Sequence, residues 1–122
     1  MSNQNKGLYA SDQNNSSNPQ QYNSNTLNVV RSGPLPGQDA DGNYYGCYNF
    51  IGRMAVVLKT ATVIQGQGVL YLNTGLAGDV SVSADNGGTF DGEPIIAIPS
   101  GPGVFIFFDG TNFTSQLNTP NN

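Results

Sequence analysis

The sequence predicts an all-β fold: a small antiparallel β-sandwich, jelly roll or barrel with a long extended N-terminal arm. Short apolar or alternating runs recur along the chain, as they do in sheet proteins. The 16 Gly and 7 Pro residues break the chain at short intervals, and no stretch has the apolar spacing of about 3.6 residues that a helix requires. A length of 122 residues allows one small domain and an arm.

The N-terminal segment, residues 1–28, is dominated by Asn, Gln and Ser, and its only ionisable side chains are Lys6 and Asp12. So little apolar surface cannot offset the entropy of ordering the segment alone. We therefore predict an arm that binds along another protein surface. Its sizeable apolar side chains are the predicted partner-binding anchors: Leu8, Tyr9, Tyr22 and Leu27.

The domain is predicted to cover residues 29–117, although its first strand begins at the end of the arm, and a polar tail follows at 118–122. Residues 26–31 alternate apolar and polar side chains, and a Gly- and Pro-rich turn follows. Residues 44–51 form an aromatic-rich strand, and residues 54–64 form a long β-branched run, as one bent strand or two.

The second half of the domain contains the clearest strand patterns. Residues 69–73 form a strand after two glycines, and residues 80–84 alternate Val and Ala with Ser, which is typical of a half-buried strand. Strands are also predicted at residues 95–98, 104–108 and 111–117. Asp109-Gly110 lies between the last two runs and predicts a hairpin with a type I′ turn, because that turn needs positive φ at both central residues.

Three of these strands, residues 55–58, 95–98 and 104–108, are apolar on both faces. In a two-layer sandwich only one face of a strand lies on the core, so the other face needs a cover. We predict a homo-oligomer, with a trimer favoured over a dimer; imperfect alternation within a monomer core is the alternative. The predicted oligomer interface consists of Val104, Phe105, Ile106, Phe107 and Phe108.

Charge excludes two classes of partner. The net charge is −4, and the only cations are Lys6, Arg31, Arg53 and Lys59. Four scattered cations cannot neutralise a phosphate backbone or an anionic membrane surface, so we expect neither nucleic acid nor membrane as a partner. No apolar run is long enough to span a bilayer, and the N-terminus lacks the features of a signal peptide.

Catalytic residue types are scarce. The chain has no His, so neither a Ser-His-Asp triad nor a Cys-His pair can form within it. The single cysteine, Cys47, excludes an intramolecular disulfide and is interpreted as a buried hydrophobe in its aromatic context. We predict no enzymatic activity, no catalytic residues and no cofactor.

Acidic turns offer the only candidates for a metal site. Asp85, Asp91 and Glu93 place three carboxylates in one short loop, and residues 39–43 begin like a calcium loop but have glycine at the wrong position. Asp is expected in turns for its side-chain hydrogen bonds to the backbone. The pattern therefore favours solvated turns, and no metal is predicted.

Sugar binding needs an aromatic platform, for which the chain offers five side chains: Tyr44, Tyr45, Tyr48, Tyr71 and Phe90. Trp, the best stacking surface, is absent. Aromatic residues in a small β-domain belong more often to the core or to an interface.

The segment FIFFDGTNFTSQL, residues 105–117, resembles a hairpin that recurs in phage structural and fibre proteins. With its polar arm and its His-free, acidic composition, the chain is similar to the small accessory proteins of tailed-phage virions. The resemblance implies a capsid decoration or cement protein, located in the virion after production in the host cytoplasm. Its implied partner is the major capsid protein or another virion protein. Two alternatives stay open: a phage neck, tail or fibre subunit, and a carbohydrate- or calcium-binding β-sandwich module.

Overall fold

A computed structural model of the chain describes residues 25–75 and 79–118. Its strands are β1 (Thr26–Val29), β2 (Gly33–Leu35), β3 (Cys47–Phe50), β4 (Met54–Leu58), β5 (Val69–Asn73), β6 (Val80–Ala84), β7 (Ile96–Ile98), β8 (Val104–Phe108) and β9 (Phe113–Leu117). In these residues the only helical segment is a 3-10 turn at Thr60–Thr62, and no helix is long or apolar enough to cross a bilayer. The predicted all-β class is confirmed.

The strands form two sheets. Sheet I has five strands in the order β1-β3-β5-β8-β9, and sheet II has four in the order β2-β4-β6-β7. The first three strands of each sheet are parallel to one another, whereas β7, β8 and β9 pair in the antiparallel direction. The predicted purely antiparallel pairing is therefore wrong: four of the seven strand pairings are parallel, and both sheets are mixed.

Parallel pairing arises because the chain alternates between the sheets from β1 to β6. Each pair of strands makes one coil, and the next coil stacks on it in the same direction, as in a short β-solenoid. A sequence repeat accompanies the stacking. The segment LNV of β1 lies in register with YNF of β3, with Leu27 beside Tyr48 and Asn28 beside Asn49.

The antiparallel strands close this stack at its C-terminal end. The predicted hairpin is confirmed, since β8 and β9 pair with Phe108 opposite Phe113. Its turn is longer than predicted, because residues 109–112 separate the paired strands. Gly110 has a φ of 105°, but Asp109 is not at positive φ, so the expected type I′ turn is wrong.

The core lies between the sheets. β4 is alternately buried and exposed along its length, and Val80 and Val82 of β6 are fully buried, as the predicted alternation requires. Sheet I supplies most of the aromatic volume. The ring of Tyr71 lies 5.0 Å from that of Tyr48 and 5.9 Å from that of Phe50, so successive coils stack their aromatic side chains.

Two predicted boundaries differ from the structure. The run at residues 54–64 ends as a strand at Leu58 and continues into the 3-10 turn. β1 begins at Thr26 within the predicted arm, and Leu27 packs partly against the core. The remaining arm residues up to 24, and the tail residues 119–122, lie outside the described part of the chain.

Val82→Ala should lower the free energy of unfolding by about 2 kcal/mol, because it removes two methyl groups from a side chain with 0% exposure and leaves a cavity. The matched variant Val30→Ala changes a side chain that is 61% exposed, and should cost ~0.5 kcal/mol or less. Urea unfolding of both variants at one protein concentration measures the difference. Equal losses would contradict the assignment of β6 to the core.

Candidate functional site

The turn at residues 39–43 is organised by the Asp39 carboxylate. Its Oδ1 accepts hydrogen bonds from the backbone N–H groups of Asp41 and Asn43, at 2.9 and 3.0 Å. These bonds, with that from Asn43 first, lower the pKa of Asp39. Asp39, the first residue of the segment that resembles a calcium loop, thus uses its carboxylate for hydrogen bonds within its own turn.

The hairpin turn repeats this arrangement at Asp109. Its Oδ1 accepts the backbone N–H groups of Asn112 at 2.7 Å and Thr111 at 2.8 Å, and these two bonds lower the pKa of Asp109. The Asp109 carboxylate thereby accepts the N–H groups of two loop residues, which stabilises a four-residue loop in place of the predicted two-residue turn.

The three candidate metal ligands do not converge. Asp85 Oδ1 accepts the hydroxyl of Thr60 at 2.6 Å and its backbone N–H at 3.0 Å, and the hydroxyl bond is the main cause of its lowered pKa. Asp91 accepts the backbone N–H and the hydroxyl of Ser115. Glu93 exchanges backbone hydrogen bonds with Phe90. Over residues 25–75 and 79–118 no cluster of three or more Asp, Glu or Cys side chains could hold a metal ion.

The five aromatic side chains do not form an exposed platform. Tyr48, Tyr71 and Phe90 each expose only 2% of their surface and belong to the inter-sheet core. Tyr44 and Tyr45 are half-buried. The Tyr48 hydroxyl donates a hydrogen bond to the Pro36 carbonyl at 2.7 Å, so its polar end is also occupied. The aromatic pattern therefore marks the core here.

The predicted interface strand, β8, has two different faces. Val104, Ile106 and Phe108 point into the inter-sheet core. Phe105 and Phe107 point to the outer face of sheet I. Of the predicted arm anchors, Leu27 lies in β1, and Leu8, Tyr9 and Tyr22 lie outside the described residues.

Cys47, Leu70 and Phe105 form one row across the outer face of sheet I, which we call the outer row. They come from β3, β5 and β8 and lie directly opposite one another. Although the row faces away from sheet II, its members expose only 4%, 5% and 1% of their surfaces, in that order. Burial raises the pKa of the Cys47 thiol, consistent with its interpretation as a small hydrophobe.

The outer face of sheet II, which we call the sheet II face, is open and uncharged. One row runs across it from Pro34 through Val57 to Ser83, and Ile95 continues the row beside β7. A second row joins Ala55, Ser81 and Ala97. Val57 is 41% and Ile95 55% exposed, so this face presents apolar and small hydroxyl side chains to solvent.

Charged residues flank the sheet II face in pairs of opposite sign. Arg53 and Asp79 immediately precede the paired residues Met54 and Val80. At the other end, Lys59 and Asp85 follow the paired Leu58 and Ala84. Attraction to Lys59 adds to the Thr60 hydrogen bonds that lower the pKa of Asp85. This arrangement suits association with another surface, since the centre is uncharged and the rim carries both signs.

Sequence patterns identified the sheet II face only in part. The doubly apolar runs at residues 55–58 and 95–98 contain both of its large exposed side chains, Val57 and Ile95. Ser81 and Ser83 were interpreted only as the polar side of an alternating strand. Pairing between β4 and β6 combines these segments into one face, and that pairing could not be deduced from either segment alone.

Comparison of the chain with known protein families, with curated proteins and with solved structures finds no match. Function is therefore inferred from the buried groups and open surfaces of the molecule.

Asp109→Asn should flatten the loss of stability in acid. A lowered folded-state pKa stabilises the protein above the unfolded pKa of about 3.9, and this contribution disappears as the pH falls through the folded pKa. Asn keeps an acceptor for the turn but does not titrate. Urea midpoints between pH about 5 and 2 measure the slope, with Asp41→Asn at the exposed tip of the other turn as control. An unchanged slope in Asp109→Asn would contradict the assigned role.

Proposed function

We propose that this protein is a structural subunit of a tailed-phage virion, a capsid decoration or cement protein that acts as a homo-oligomer. The observation that carries the proposal is the open, uncharged sheet II face. The carboxylates of Asp39 and Asp109 are engaged by their own turns, and that of Asp85 is engaged by Thr60, so surface association is the chemistry that the described residues support best.

Copies of the chain meet through the sheet II face. Val57 and Ile95 supply its exposed apolar surface, and the small side chains between them permit close approach of a second surface. Its rim carries Arg53 with Asp79 at one end and Lys59 with Asp85 at the other, so both signs of charge are available to pair with another copy. In a ring of three copies each contact is heterologous, so the rim of one copy meets charges of opposite sign on a different surface of the next copy. A trimer is favoured.

The size of this face favours a weak contact that gains strength by repetition. β4 and β6 have five residues each and β2 and β7 three each, so four strands at ~4.8 Å spacing give a face of at most about 19 by 17 Å. A stable interface buries ~800 Å² per partner. The face alone therefore gives modest affinity, and multiple linked contacts on a regular lattice raise it by ~10²–10⁴.

The N-terminal segment supplies the second contact. Leu8 and Tyr9 precede Asn25, where the described structure begins, by enough residues to reach ~50 Å in extended form. An uncharged segment rich in Asn and Gln can bind a neighbouring coat subunit through its amides and these anchors.

The resemblance to phage structural proteins also supports the proposal. It lies in the hairpin that β8 and β9 form.

A neck, tail or fibre subunit is the second candidate. The stacked parallel coils of β1 to β6 favour it, because solenoid architectures extend along one axis and present long continuous sides. Both candidates use the same sheet II face for contacts between copies. They differ in the part of the virion to which the protein binds.

Immunogold electron microscopy distinguishes these candidates. Antibodies raised against the purified protein are applied to intact virus particles that copurify with the protein. Preimmune serum serves as the control. If the protein is a capsid decoration protein, gold particles should be distributed over the whole capsid surface. Gold confined to the neck or tail would support the second candidate, and labelling of soluble protein alone would overturn the virion assignment.

Val57→Lys should abolish self-association, because it places a charge at the centre of the sheet II face while the exposed side chain leaves the core intact. Multi-angle light scattering over a concentration series is the measurement. The unaltered protein should approach the mass of a trimer as concentration rises, and the variant should stay at the mass of one chain. Thr111→Lys, at the exposed hairpin turn, is the matched control and should associate normally. A monomeric unaltered protein would contradict the proposed interface.

A further inference from the structure

A groove lies beside the turn between β8 and β9, and we call it the hairpin groove. Its volume is about 380 Å³, at the small end of the range of about 300–1,000 Å³ that ligand sites occupy. Beside Gly66, its lining combines two aromatic residues with four polar ones: Phe107, Phe108, Gln65, Asp109, Asn112 and Thr114.

The Phe107 ring gives the groove an apolar surface that is fixed in place. Phe107 lies opposite Thr114 in the hairpin, so both side chains are on the outer face of sheet I. The ring packs against the outer row, and a Cβ atom at Gly68 would come within 2.8 Å of it. The half-buried ring therefore rests on the Gly68 backbone, and the part that lines the groove is a rigid surface for a ligand.

Asn112 supplies an oriented hydrogen-bond donor. Its Oδ1 accepts the backbone N–H of Thr89 at 2.9 Å and the Thr89 hydroxyl at 3.2 Å. Because a backbone N–H can only donate, the oxygen of the Asn112 amide must face Thr89, which settles the orientation of the side chain. The Nδ2 group is thereby left to donate to a ligand.

Asp109 and Gln65 complete the polar lining. Asp109 accepts the N–H groups of Thr111 and Asn112 through Oδ1, so its Oδ2 retains sites for further hydrogen bonds. Gln65 is exposed beside the turn, and a Cβ atom at Gly110 would lie 3.2 Å from its Nε2. Its amide can both donate and accept. An acceptor, a donor and an amide of both kinds thus surround one aromatic ring.

The charges of the lining limit the class of ligand. Asp109 is its only ionisable residue, so a phosphate or another anion would be repelled. Calcium takes six or more oxygen ligands, and no cluster of carboxylates within residues 25–75 and 79–118 could hold a metal ion. A neutral ligand with several hydroxyl groups fits better, because hydroxyls donate to a carboxylate and accept from an amide.

We propose that the hairpin groove binds a neutral carbohydrate, with the apolar face of a sugar ring on Phe107 and adjacent hydroxyl groups on Asp109 and Asn112. The sugar C–H groups meet the electron-rich face of the aromatic ring. The site lies within one chain, on the side of the molecule opposite to the sheet II face. It therefore depends neither on self-association nor on the proposed virion role.

Nuclear magnetic resonance locates such a ligand even when binding is weak. The ¹⁵N-labelled full chain is titrated with a panel of neutral mono- and disaccharides. Saturable shifts should be confined to the backbone amides of residues 65–66 and 107–114 and to the side-chain amides of Gln65 and Asn112, with a Kd in the millimolar range that so small a ligand allows. The uronic acid corresponding to the best-bound sugar should bind about tenfold more weakly or worse, because its carboxylate would meet that of Asp109.

Asn112→Asp tests the donor, since it keeps an acceptor for Thr89 and removes the Nδ2 group. It should weaken binding of the best sugar about tenfold or more. Asn28→Asp is the matched control, with the same change of charge. Its Oδ1 also accepts a hydrogen bond, from Asn49, but it lies in β1 at the other edge of sheet I. It should change the Kd less than ~2-fold.

The outcomes decide the proposal whether or not the protein associates. Val57→Lys should bind the sugar as the unaltered protein does. If Asn112→Asp does not fold, Gln65→Ala, which alters an exposed loop side chain, should weaken binding about threefold and decides the outcome. The proposal is overturned if no sugar of the panel gives saturable shifts in the groove. Equal affinity in Asn112→Asp and Gln65→Ala, or saturable shifts confined to another surface, would also overturn it.

Discussion

Alternation of the chain between two sheets is the constraint on which the rest of the structure depends. Each strand from β1 to β6 must bury one face against the other sheet, and each coil must stack on the one before it. The crossing from sheet I to sheet II is short in the first two coils, at residues 30–32 and 51–53. Gly52, with a φ of 106°, provides a backbone conformation there that other residues adopt only with strain.

The acidic residues follow from the same constraint. A coil of short strands needs many turns, and turns leave backbone N–H groups without a ladder partner. Asp39 and Asp109 satisfy these groups with one carboxylate oxygen each. Asp85 satisfies the start of the 3-10 turn through Thr60. These three carboxylates therefore have a structural role in the turns of the fold.

Local sequence patterns were sufficient to predict where the strands lie but not to predict which strands pair with one another. Alternation at Val80 and Val82 and the hairpin between β8 and β9 could be predicted, because period and turn residues are local signals. Parallel pairing could not be predicted, because the two paired strands are separated in sequence by a strand of the other sheet. The sequence repeat is also short: Asn28 matches Asn49, but Leu72 takes that place in β5. The hairpin turn was misassigned because Asp-Gly also suits a longer loop in which the Asp side chain is the acceptor.

The doubly apolar strands show why an interface could be predicted only in outline. The pattern cannot distinguish a face covered by the same chain from one that meets a partner. In β8 the second face carries Phe105, which is almost completely buried, whereas in β4 it carries Val57, which is exposed. The neighbouring side chains account for the difference: Leu72 and Phe107 pack against the outer row, whereas Val57 lies between the small side chains of Pro34 and Ser83. Bulky apolar neighbours on one face shield one another from water, whereas small neighbours leave Val57 in solvent, so the same sequence pattern gives a buried row in one sheet and an open face in the other.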